Sequence, residues 1–144
     1  MKRILLLSTL FLSVFLSNCK KENDPQDLIV GKWKVTRLIS NGIDAIQGDD
    51  DYRLSLGLEF TNAGSVVFDI KALDLTTLPP EEENILSAGS YSWSGDNVLT
   101  LTVNDSGDIL SVTGTADVTA NRLIFTATSG DTTDFLQVLE ADKL

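Results

Sequence analysis

A chain of 144 residues has room for one domain once a processed leader is removed, since a single core serves about 100 to 150 residues. With no histidine and one cysteine, it lacks the usual general base of serine and cysteine hydrolases, the commonest transition-metal ligand and any internal disulfide. Eleven basic against 21 acidic side chains give a formal charge of −10, a balance that repels nucleic acid and anionic lipid headgroups.

In chain order, Met1 to Leu16 reads as a secretory signal. Lys2 and Arg3 form the charged start, and Ile4 to Leu16 supplies thirteen uncharged residues. A helix that spans a bilayer takes about 20 apolar residues, so this run suits translocation better than permanent anchoring. Leu16-Ser17-Asn18-Cys19 resembles the lipobox of bacterial lipoproteins, departing from it at Asn18, where Gly or Ala is usual. The resemblance implies diacylglycerol on the Cys19 thiol, cleavage before Cys19 and acylation of the new N-terminus by chains such as palmitate. An ordinary signal peptide with an incidental cysteine is the alternative. The expected organisation is a signal peptide over 1–18, the lipidated cysteine with a polar spacer over 19–27, and one domain over 28–144. Loss of Lys2 and Arg3 leaves nine basic against 21 acidic side chains, a formal charge of −12, so membrane attachment is expected through acyl chains alone. Lys20 after Cys19 is what an outer-membrane lipoprotein shows in many Gram-negative bacteria, which implies the cell envelope as the location, on the periplasmic or the surface face.

Beyond the spacer, apolar and polar residues alternate between Gly, Asn, Asp and Ser clusters, the period-two pattern of half-buried strands. A first strand spans Lys32 to Ile39, with Trp33, Val35 and Ile39 on one face and Arg37 an exception on that same face. A second near Leu56 to Thr61 buries Leu56, Leu58 and Phe60, before a turn at Asn62-Ala63-Gly64. The third, Val66 to Leu73, offers Val66, Phe68 and Ile70, and the fourth, Gly89 to Trp93, offers Tyr91 and Trp93. The fifth, Val98 to Val103, offers Leu99, Leu101 and Val103. The sixth, Ile109 to Val118, presents Leu110, Val112, Ala116 and Val118, and the seventh contributes Leu123 and Phe125. An eighth falls within Thr133 to Glu140.

Short hairpins force sequence neighbours to pair, so eight strands in this order close into an antiparallel up-and-down barrel without free edges. The alternative is a β-sandwich, which needs crossovers between sheets. Only two connections are long enough to serve, Ser40 to Ser55 and Asp74 to Ser87.

Gly31-Lys32-Trp33 resembles the Gly-x-Trp motif that opens the lipocalin barrel, and Asp27-Leu28-Ile29-Val30 reads as a short helical turn before it. With the lipobox and the acidic spacer, the pattern is similar to small lipocalin-like lipoproteins of Gram-negative bacteria. The resemblance implies that Trp33 plugs the closed end, that Ser40 to Ser55 lies over the open end, and that a late arginine packs on Trp33. Arg122 is the only late arginine.

Gly48-Asp49-Asp50-Asp51-Tyr52 is acidic enough to attract calcium but lacks EF-hand spacing, and Pro79-Pro80-Glu81-Glu82-Glu83 reads as a stiff charged bend; both are taken as solvated loops rather than metal sites. No catalytic residue, metal or cofactor is expected. The inward aromatics are core first and ligand contacts second, because a disulfide-free domain needs their burial. Trp33, Phe68, Tyr91 and Trp93 are the candidate ligand contacts, Tyr91 and Trp93 because each carries a polar group that wants a partner. The expected function is binding of a small hydrophobic ligand by a monomeric, membrane-tethered, non-enzymatic module without nucleic-acid contacts. A filled barrel serving as an interaction or structural lipoprotein is the alternative.

Overall fold

The computed structural model describes residues 24–47, 52–105, 108–130 and 136–144. The expected signal peptide, Cys19 with the spacer as far as Asn23, Gly48 to Asp51 of the acidic loop, and Thr133 to Phe135 of the expected last strand lie outside them. One short helix, α1 (Pro25–Leu28), precedes nine strands: β1 (Gly31–Ser40), β2 (Ile43–Asp44), β3 (Tyr52–Phe60), β4 (Ser65–Asp74), β5 (Glu81–Ser94), β6 (Val98–Asp105), β7 (Asp108–Val118), β8 (Arg122–Gly130) and β9 (Val138–Lys143).

Every strand pairing is antiparallel, and β1 pairs with β9, from Trp33 opposite Lys143 to Ile39 opposite Val138. That last ladder closes eight strands into an up-and-down barrel and rules out the β-sandwich. Strand β2 lies outside the closed ring and pairs only with the end of β1. The core follows the alternation: Trp33, Val35, Leu58, Phe60, Val66, Leu99, Leu101, Leu123, Phe125, Leu139 and Ala141 are all buried, and no polar or charged residue is buried with them among the described residues. Two hairpins turn at Gly64 and Gly95, whose φ of 78° and 72° lie in the left-handed region that glycine enters without a Cβ penalty.

The structure departs from the expected elements at five places, one being the last strand, which spans Val138–Lys143 and runs past the expected end at Glu140. Arg37 does not share the face of Val35. Two residues of β1 oppose one step of β9 between Val35 and Arg37, and this bulge at Thr36 turns Arg37 outward and Leu38 inward. Strand β3 begins at Tyr52, so the first long connection is shorter than Ser40 to Ser55, and part of it forms β2. Strand β5 begins at Glu81, not Gly89, in register with β4 from Asp74 opposite Glu81 to Ser65 opposite Ser90. Only residues 75–80 form the bend, held by the Asp74 carboxylate, which accepts from the Thr76 amide at 2.8 Å, and by the Thr77 hydroxyl, which accepts from the Glu81 amide at 3.0 Å. Finally, the helical turn starts at Pro25, capped by Asp24 accepting from the Gln26 amide, rather than at Asp27.

The barrel has two unlike ends. Helix α1 and the turns at 61–64, 95–97 and 119–121 gather at one; the bend after β4, the end of β6, the start of β7 and the entry to β9 gather at the other. At this second end β3, β4 and β5 run past their outer neighbours. β1 pairs with β3 only through Gly31 to Lys34, and β5 pairs with β6 only from Gly89 onward. Glu81 to Ala88 therefore overhangs the barrel on β4 alone.

Candidate functional site

The end crossed by α1 is closed. Trp33 is fully buried and donates from Nε1 to the Ile29 carbonyl at 2.6 Å, which ties the first strand to the residue after α1. Lys143, on the last strand, lies over the Trp33 ring with Nζ at 5.1 Å from its centroid and donates to the Leu28 carbonyl at 2.8 Å. A cation above an aromatic face and bonded to a helix-end carbonyl is favourable on both counts. The late cation on Trp33 is therefore Lys143. Arg122 is exposed on the outer face, where it and Arg37 grip opposite oxygens of Glu140 at 2.6 and 3.0 Å. The bond from Arg37, then that from Arg122, holds the Glu140 carboxyl below the ordinary glutamate range.

At the opposite end the interior is hollow. A cavity of about 360 Å³ is lined by Phe68 and Ile70 from β4, Ile85 and Ser87 from β5, Leu101 and Val103 from β6, Leu110 and Val112 from β7, and Leu136 ahead of β9. Its floor is buried, as Leu101 and Val112 show. Its rim is open to solvent, since Ile85 and Leu110 are 41% and 37% exposed. The volume lies in the range of small-molecule sites, and Ser87 is the one polar side chain among the described residues of the lining. No described residue of the first long connection lines it.

Of the four candidate ligand contacts, Phe68 lines this cavity. Trp33 belongs to the closed end. Tyr91 and Trp93 border a shallow depression beside α1, together with Gln26, Asp27 and Asn62. The Tyr91 hydroxyl donates to the Thr61 carbonyl at 2.7 Å, its ring meets Phe60 edge-on, and burial raises its phenol above the usual range. The Trp93 indole N–H is buried without a partner among the described residues.

Sequence reasoning placed Ile70, Leu101, Val103, Leu110 and Val112 on interior faces, but as core. It missed Ile85 and Ser87, because Glu81 to Leu86 is exposed throughout and shows no burial alternation. The usable signal was parity: 85 and 87 share the face of Tyr91 and Trp93 once the strand is extended backward. Among the described residues no group of acidic or thiol side chains is arranged to hold a metal ion. Comparison with protein-family models, curated proteins and solved structures finds no match for this chain.

Proposed function

We propose that this chain is a membrane-tethered, lipocalin-like binding module of the bacterial envelope, which takes a small hydrophobic molecule into the cavity at its open end. The observation that carries this reading is the cavity: about 360 Å³ bounded, among the described residues, by eight apolar side chains and one hydroxyl. Transfer of an apolar ligand there removes both its surface and the lining from water, at about 25 cal/mol per Å². The reading is non-catalytic. The chain has no histidine, and a lone serine hydroxyl in an apolar cavity has no such base to activate it.

The lipocalin likeness rests on the closed end, where a buried tryptophan, a helical turn and a cation from the last strand meet. The tether rests on Cys19, five residues ahead of Asp24 in the chain. Five residues reach at most about 18 Å, and Asp24 caps the helix at the closed end. An acyl anchor would thus hold the closed end towards the membrane and leave the cavity mouth facing away. A non-catalytic interaction or structural lipoprotein is the second reading, favoured by Leu78, Leu86 and Ile109, which are strongly exposed at the same open end.

Titration with the neutral fluorophore N-phenyl-1-naphthylamine tests the binding reading. Saturable one-to-one enhancement is expected, and it should disappear in Leu110→Trp, which fills the mouth from a half-exposed position, provided that variant melts like the parent. No enhancement in the parent, or undiminished enhancement in Leu110→Trp, refutes ligand uptake and leaves the interaction reading. Incorporation of a palmitate analogue into the full chain in a bacterial host, lost in Cys19→Ser, tests the tether separately.

A further inference from the structure

The rim above the cavity carries charge of one sign. Residues lining the wall occupy even positions on β4 and β7 and odd positions on β5. The same parity continued outward places Asp74 beyond Ile70, Glu83 and Glu81 beyond Ile85, and Asp108 beyond Leu110, all on the interior-facing side of their strands. The register agrees, for Ala72 pairs with Glu83 and Asp74 with Glu81, two and four residues outward from the Ile70–Ile85 pair. Glu81, Glu83 and Asp108 are exposed, and the Asp74 carboxylate is engaged by Thr76.

No described cation offsets Glu81, Glu83 or Asp108 on that side. Arg53 on β3 and Lys71 on β4 have the opposite parity and are exposed on the outer face. Lys143 is at the closed end over Trp33. The described residues that join strand ends at the mouth, 41–47, 75–80 and 136–137, include no lysine or arginine. Among the described residues that line the cavity, the only polar side chain is Ser87.

We propose that the cavity selects amphiphiles with a cationic head, an apolar tail entering between Phe68 and Leu101 while a protonated amine stays at the mouth among Glu81, Glu83 and Asp108. This rests on the ligand-binding reading above and adds the head-group class. A fatty-acid anion would have the same tail fit but no counter-charge and three carboxylates against it. The cavity holds about twelve volumes of 30 Å³, enough for a tail of about ten to twelve carbons. By Coulomb's law a full charge at about 8 Å changes affinity roughly twofold in water, so three carboxylates each within that distance of the head would amount to about tenfold at low ionic strength.

The test is competition against N-phenyl-1-naphthylamine by dodecylammonium, dodecanol and dodecanoate, each below its micellar concentration, in about 10 mM salt at neutral pH. The expected order is ammonium tightest, then the alcohol by about tenfold, then the carboxylate by about tenfold again. Salt raised to about 0.3 M should compress the series, because the rim is exposed. In Glu81→Gln/Glu83→Gln/Asp108→Asn the three should converge, whereas Asp96→Asn/Asp117→Asn/Asp142→Asn, an equal change of net charge on other surfaces, should retain the order. Dodecanoate binding as tightly as dodecylammonium, or an order insensitive to the rim triple variant, overturns the head-group assignment while leaving the cavity as a binding site. Failure of the fluorophore itself to bind overturns both.

Discussion

Replacing Lys143 with methionine should destabilise the domain by about 2 kcal/mol, from two losses of known geometry. The ammonium 5.1 Å from the Trp33 centroid contributes roughly 0.5 to 1 kcal/mol at a partly exposed site. Its bond to the Leu28 carbonyl at 2.8 Å is charge-assisted, and part exposure puts it near the lower end of about 1.5 to 3 kcal/mol. Methionine retains most of the aliphatic stem, so the packing of the side chain on the ring is little changed. Urea unfolding followed by tryptophan fluorescence measures the change, with an unaltered m-value showing that the two end states are the same. The melting temperature should fall by about 6 to 8 °C for a domain of this size. Lys143→Arg, which keeps a cation and a donor, should recover most of the loss. Arg122→Ala, which breaks an exposed ion pair, should cost less than about 1 kcal/mol. A methionine variant within about 0.5 kcal/mol of the parent, or an Arg122→Ala variant that costs more than it, would refute the assignment of Lys143 as the clamp on Trp33.

Two further perturbations test the architecture and its electrostatics. Gly114 sits where the β7–β8 register slips, and a Cβ there would run into the Thr126 carbonyl oxygen and lie 2.8 Å from Phe125 Cζ. Gly114→Ala should therefore cost about 2 to 3 kcal/mol in denaturant unfolding, more than the roughly 1 kcal/mol of Gly95→Ala, which meets only a positive φ in open space; the reverse ranking would contradict the packing at this bulge. Because the two arginines depress the Glu140 carboxyl below its ordinary value of 4.5, its contribution is complete above that value and is lost as pH falls through the lower folded-state value. Glu140→Gln should be less stable than the parent by under about 1 kcal/mol at pH 7, and the gap should close in acid; a gap that widens below pH 4.5 would show the sign to be wrong.

The barrel was legible because its signal is local. Leu56, Leu58 and Phe60, or Leu99, Leu101 and Val103, declare an inner face by alternation alone, and the turns at Gly64 and Gly95 order the strands into hairpins. The overhang of β5 was not, since Glu81 to Leu86 is exposed on both faces and is a strand only because the β4 backbone pairs with it. Arg37 misled for a related reason. Counting by twos along β1 assumes an unbroken ladder, and the bulge at Thr36 depends on β9, more than a hundred residues away. The same distance hid Lys143, whose role exists only once the last strand lies beside the first.

What the residues alone determined is which side chains avoid water and that neighbours in sequence become neighbours in space. Closure, register slips and overhang were left to the tertiary structure, and these decide whether an apolar face ends in packed core, as at Trp33, or around a void, as at Phe68. The physical reason is that alternation specifies a preference for burial but not a partner. Whether Leu101 and Val112 meet other side chains or an empty volume is settled by how far opposing strands stand apart, a property of the closed ring that no single strand carries.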